Sequence, residues 1–107
     1  TLFAIEDDQL GTIDLTSGEF SALPSVVGSG NGAVGLITFD NIESLSFNPY
    51  TGHLYATHRR GAFNEDVLIE IDPVTGAAIP AAFSGNDYLP IQRQGPYYHT
   101  ADIAFDG

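Results

Sequence analysis

The sequence predicts an all-β protein. No window shows the three-to-four-residue apolar spacing of an amphipathic helix. Apolar residues fall instead in short runs that alternate with polar ones. Clusters of Gly, Pro, Asn and Asp separate the runs, and these are the residues that tight turns demand.

Taken in order, Leu2–Glu6 is a short strand and Asp7-Asp8 a turn. Leu10–Leu15 is a second strand, with Leu10, Ile13 and Leu15 apolar, and Thr16-Ser17-Gly18 is a turn. Glu19–Leu23 is a third strand, ended by Pro24, which cannot donate to a sheet ladder. A Gly-rich connection covers Ser25–Asp40, with Leu36–Phe39 as a short strand within it. Ile42–Phe47, Leu54–His58 and Val67–Ile71 are three further strands. They are joined by Asn48-Pro49-Tyr50-Thr51-Gly52 and by the longer Arg59–Asp66, and closed by Asp72-Pro73-Val74-Thr75-Gly76. Ala77–Phe83 reads as another strand, Ser84–His99 as a loop, and Thr100–Phe105 as a last strand.

The chain repeats itself. Ile13-Asp14-x-x-x-Gly18 matches Ile71-Asp72-x-x-x-Gly76. Leu45-Ser46-Phe47-Asn48 matches Ile103-Ala104-Phe105-Asp106 at the same offset. Leu2-Phe3-Ala4 matches Leu54-Tyr55-Ala56 at a shorter one, and the difference is an insertion in Arg59–Asp66. Each unit then has four strands: Leu-Ser-Phe-Asn, Leu-Tyr-Ala-Thr, Leu-x-x-Ile-Asp, and one after the Thr/Ser-Gly turn.

These units resemble the LAFDP-x-TG-x-LYA … L-x-x-IDP-x-TG repeats of secreted bacterial β-propellers, over nearly the whole chain. The resemblance implies two four-stranded antiparallel β-propeller blades, circularly shifted, within one region, 1–107. The first blade takes its strands from 2–24 and 42–47, the second covers 42–83, and a last inner strand lies at 100–105. A β-sandwich of short strands is the alternative. A propeller needs at least about four blades to close, so two imply either the remainder of a longer chain or self-association. In an assembly, Thr100–Phe105 of one copy would pair with Leu2–Glu6 of the next. Three copies would give six blades and four would give eight.

Composition narrows the function. The net charge is −11, lysine is absent, and Arg59, Arg60 and Arg93 are the only cations. Nucleic acid and anionic membranes need a basic footprint and are poor partners. No apolar run reaches the roughly 20 residues of a membrane-spanning helix. An acidic, lysine-free surface suits an extracellular or periplasmic setting. With no Cys there are no disulfides, thiolate nucleophiles or Cys-type zinc sites. The chain has no Met either, so Thr1 is expected to be a processed end or a fragment boundary.

Candidate site residues follow from the blade reading, in which the first strand of each blade lines a central channel. Glu43 and Asp102 open two such strands, and carboxylates converging on an axis suit Ca²⁺, which takes six to eight oxygens. A distant similarity to the regucalcin and gluconolactonase propellers implies that Glu43 would hold a catalytic divalent metal. The position matching that family's metal-binding Asn is Ala101. Solvated strand-end carboxylates are the competing account of Glu43 and Asp102. Tyr98 and His99 could join Asp102 at a channel mouth to stack on a ligand, or simply cap a loop over the core. His53 falls in a turn.

No G-x-S-x-G nucleophile elbow is present. Gly30-x-Gly32-x-x-Gly35 matches a dinucleotide fingerprint in letters only, since a strand and not a helix follows it. Two function classes remain: a non-enzymatic extracellular module for protein or ligand binding and assembly, and part of a metal-dependent lactonase-like hydrolase.

Overall fold

The computed structural model describes residues 1–61, 64–92 and 102–106. They form nine strands: β1 (Leu2–Glu6), β2 (Gln9–Ile13), β3 (Phe20–Val26), β4 (Ser29–Gly32), β5 (Gly35–Thr38), β6 (Ile42–Phe47), β7 (Leu54–His58), β8 (Val67–Ile71) and β9 (Leu89–Pro90). No helix occurs among the described residues. The strands make three antiparallel sheets, ordered β1-β2-β3, β4-β5 and β6-β7-β8-β9. None is closed on itself.

The two larger sheets share a construction. β1 pairs with β2 through Leu2↔Ile13, and β7 pairs with β8 through Leu54↔Ile71. Ile13 then faces Phe20, and Ile71 makes an isolated bridge to Ala78. The turns that follow Ile13 and Ile71, and the β6–β7 turn, have one local chemistry, Asp/Asn-x-x-Ser/Thr-Gly. In each, the glycine N–H donates to the carbonyl of the first residue: Gly18 to Asp14 at 2.8 Å, Gly52 to Asn48 at 2.9 Å and Gly76 to Asp72 at 2.8 Å. The first side chain accepts from the N–H two residues on, at 2.8, 3.0 and 2.8 Å. The Ser or Thr hydroxyl accepts from the N–H after the glycine, at 3.2 Å in all three. The glycines sit at φ +77°, +77° and +86°, a region that penalises any side chain.

The core lies on one face of the four-stranded sheet. Leu54, Ala56, Val67, Ile69 and Ile71 are buried there against Leu10, Val27, Phe39 and Tyr88. Ile42 would point away from this face if β6 alternated without interruption. A bulge between Ile42 and Ser44 corrects the phase, so that Ile42 lies opposite His58 and is buried.

Four backbone hydrogen bonds, made by Ser25, Val27 and Gly28, stitch the sheets together. Ser25 N–H donates to Thr75 O at 2.9 Å, and Val27 N–H to Asp8 O at 2.8 Å. Val27 O accepts from Ala78 N–H at 2.9 Å, and Gly28 O from Phe39 N–H at 2.8 Å.

Several expectations need correction. β3 does not stop at Pro24 but continues to Val26, because a register shift opposite Gln9 and Gly11 frees that stretch from regular pairing. The Gln9 amide fills the gap, donating to Leu23 O and Ser25 O at 2.9 Å each. The Gly-rich connection contains a hairpin, β4–β5, and Leu36–Phe39 supplies most of its second strand. Ala77–Phe83 is not a strand. It follows β8 only as far as Ile79, whose N–H reaches Glu70 O at 2.8 Å, and then turns at Pro80 and at Ala81, φ +56°. The described part of Thr100–Phe105 has no strand structure.

Gly52 and Gly76 occupy equivalent turns, but only Gly76 touches the other sheet. An added Cβ at Gly52 meets nothing within 4 Å, whereas at Gly76 it would lie 2.9 Å from Ser25 O and 3.1 Å from Leu23 Cβ. Gly52→Ala is expected to cost about 1 kcal/mol from backbone strain alone. Gly76→Ala is expected to cost more, with the difference read from urea unfolding midpoints at equal m-values.

Candidate functional site

Glu43 is the extra residue of the β6 bulge, and its side chain is exposed. Moving Ile42 into the core leaves the intervening residue facing solvent, where a carboxylate is well suited. Asp102 is also exposed, and its carboxylate accepts the N–H of the next residue, Ile103, at 2.9 Å. Tyr98 and His99 lie outside the described residues. Among the described residues, no three His, Asp or Glu side chains converge as metal ligands.

The richest polar cluster surrounds His58, at the end of β7 beside the bulge. His58 is buried, with the Phe39 ring edge-on at 5.8 Å. Its Nδ1 accepts the Asn41 N–H at 3.2 Å, which leaves the proton of the neutral imidazole on Nε2. Burial holds the imidazole below its ordinary value of 6.5. Asp40 and Asp66 pull it upward, and Arg60 adds to the depression. Arg60 Nη1 donates to Glu65 O at 3.3 Å, and Arg59 N–H donates to Asn41 O at 2.9 Å. Arg59 Nε and Glu65 Oε2 are buried without a hydrogen-bond partner among the described residues.

At the other end of β7, Glu70 serves two neighbours. His53 Nδ1 lies 3.5 Å from its Oε1, and its hydrogen bond with Tyr55 raises the phenol above its ordinary value of 10.0. Among the described residues, no Ser or Thr hydroxyl bonds to an imidazole. The Ser44 and Thr57 hydroxyls bond each other at 2.5 Å. These clusters position backbone and close the core; no nucleophile-and-base pair emerges from them.

The glycines of Gly30-x-Gly32-x-x-Gly35 have a packing role. An added Cβ at Gly30 would lie 2.5 Å from Asp87 Cβ, and one at Gly32 would lie 2.7 Å from the Tyr88 ring. Asp87 accepts from Asn31 N–H and Ala81 N–H at 2.7 Å each. Tyr88 Oη accepts from Val34 N–H at 2.9 Å and donates to Gly35 O at 2.7 Å. The motif is therefore a hairpin clamped by Asp87 and Tyr88, residues far away in sequence.

Two surfaces remain open. β1 stands at the edge of its sheet, in contact with β6 but, among the described residues, hydrogen-bonded as a strand only to β2. The repeat marks Leu2–Glu6 as the strand that Thr100–Phe105 of another copy would pair with in an assembly. The second surface is a shallow apolar groove over the outer face of β6, β7 and β8, where Ile103, Ala104 and Phe105 meet Ser46, Tyr55 and Leu68. Phe105 N–H donates to Ser46 Oγ at 3.3 Å, and the Phe105 ring packs edge-on to Tyr55 at 5.1 Å.

No family model, curated protein or solved structure matches the chain.

The His58 environment fixes a pH dependence. Its folded pKa lies below the unfolded 6.5, so the unfolded chain takes up a proton that the folded chain refuses. Stability is expected to be constant in this respect above 6.5 and to fall as pH drops through 6.5 toward the depressed folded value. His58→Gln is expected to flatten that interval in pH-dependent urea midpoints. A separate decline below 3.8, from Asp14 and Asp87, whose carboxylates are lowered by backbone N–H bonds, should persist.

Proposed function

We propose that the chain is a non-enzymatic β-propeller-type module that binds and assembles with other protein surfaces in an extracellular or periplasmic setting. The observation that carries this reading is the open edge of β1. Its counterpart in the other sheet, β7, has β6 on one side and β8 on the other, whereas among the described residues β1 pairs only with β2. The parallel registers Leu2↔Ile13 and Leu54↔Ile71, and the turns of identical bonding that follow them, support treating the two sheets as two blades. The first would lack its inner strand. An edge of this kind is a template for another strand, since its unpaired N–H and C=O groups run in a regular row.

Phe3 and Ile5 already pack against the core, so an incoming strand would extend an ordered surface. The acidic charge favours solubility of the free module and steers it away from nucleic acid. The alternative, part of a divalent-metal-dependent lactonase-like propeller, would act through Glu43.

Sedimentation with and without chelator separates the two readings. The assembly reading expects a species heavier than the 11.4 kDa chain, unchanged by chelator and by Glu43→Gln. A monomer at all concentrations, or a Ca²⁺-dependent rise in Tm abolished by Glu43→Gln, would overturn it.

A further inference from the structure

We infer that the strand completing β1 is Asp102–Asp106 of a second copy of this chain, with Phe105 opposite Leu2, Ala104 opposite Phe3, and Ile103 opposite Ala4. This deepens the assembly reading and rests on it. β6 and β7 pair through Phe47↔Leu54, Ser46↔Tyr55 and Leu45↔Ala56. Ile103-Ala104-Phe105-Asp106 has the pattern of Leu45-Ser46-Phe47-Asn48, and Leu2-Phe3-Ala4 that of Leu54-Tyr55-Ala56. Carrying the observed β6–β7 register onto the matching residues yields the inferred one. It needs no further adjustment.

The side chains suit the new pairing. Phe47 and Leu54 form a cross-strand pair at the end of β6, and Phe105 and Leu2 would form the same pair. Leu2 and Phe105 are 48% and 42% exposed, so each has apolar area left to bury. In its own chain the segment lies over the outer face of β6–β8, outside any sheet, and one backbone N–H reaches a side chain there. Pairing along β1 would replace that contact with ladder hydrogen bonds on both strands.

A second copy is the occupant because the donor sequence and the acceptor edge are in one chain, while in that chain the donor is seated on the outer face of β6–β8 and does not pair with β1. Each copy then offers one of each. Such a head-to-tail contact closes into a ring if the rotation permits and otherwise forms an open chain. With a net charge of −11 per copy, association must overcome like-charge repulsion, so it should strengthen with salt.

The absence of Cys makes cross-linking clean. A Leu2→Cys chain mixed with a Phe105→Cys chain should form the mixed disulfide dimer on oxidation. The yield should be at least about tenfold that of an Ile5→Cys chain mixed with Phe105→Cys, because three residues along a strand is roughly 10 Å, beyond disulfide reach. In otherwise unsubstituted protein, Ala104→Pro removes a ladder donor and should leave a monomer with a native circular dichroism spectrum. Association that survives Ala104→Pro, with no preference for the Leu2–Phe105 disulfide, would overturn the inferred occupant and leave assembly standing. An intact chain that stays monomeric throughout would overturn both.

Discussion

Residues Ser25–Gly28 hold the molecule together. The apolar faces of the sheets are buried against one another, and the two-stranded β4–β5 hairpin alone would be marginal in water. This stretch bonds to the β1–β2 turn at Asp8, to the far sheet at Thr75 and Ala78, and to the strand entry at Phe39. The four bonds set Leu10, Val27 and Phe39 against Ile69 and Ile71, and the common core exists only in that arrangement. Its geometry requires Gly28 at φ +96° and Gly76 close against Ser25 O. The junction is thus built from backbone, with the side chains following.

The same junction explains which parts of the fold were legible in the sequence. β6, β7 and β8 have the limits expected from their apolar runs and flanking turns, because both signals are local. The Asp/Asn-x-x-Ser/Thr-Gly turns are local too, closed by their own side chains. The hairpin at Gly30–Gly35 was hidden because its glycines answer to Asp87 and Tyr88, more than fifty residues away. Pro24 misled for a related reason. Its missing N–H falls in a register shift, and the Gln9 amide caps the carbonyls on either side. The bulge at Glu43 had a visible sign: Ile42 and Leu45 are three apart, which breaks the two-residue period that Leu45 and Phe47 keep.

The candidate site was less legible than the fold. Glu43 and Asp102 were singled out as strand-opening carboxylates. One proves to be the solvent-facing residue of a bulge, and the other caps its neighbour's N–H. The His58 environment drew no attention because its members come from three segments, Asp40-Asn41, His58–Arg60 and Glu65-Asp66, that meet only when β6, β7 and β8 align. Their burial and mutual charges are properties of the sheet end, invisible to spacing. The edge at Leu2–Glu6 was legible only through the phase of the repeat, which begins the chain at a second strand. Nothing in Leu2–Glu6 itself distinguishes an edge strand from a central one.

The carboxylates of this chain bear on the choice between a binding module and a metal enzyme. Acid-rich composition invites a cation, yet Asp14 and Asp72 hold backbone N–H groups at their turns, and Asp87 holds those of Asn31 in β4 and of Ala81. For Asp14 and Asp87 those bonds lower the pKa, which keeps them ionised as acceptors. A carboxylate saturated by backbone donors has fewer lone pairs to offer a metal that wants six to eight oxygens. Part of the negative charge is therefore the by-product of specifying tight turns in a protein made almost entirely of short strands. Among the described residues, β1 pairs on one side only, and the proposed assembly rests on the backbone hydrogen-bonding capacity of its other side.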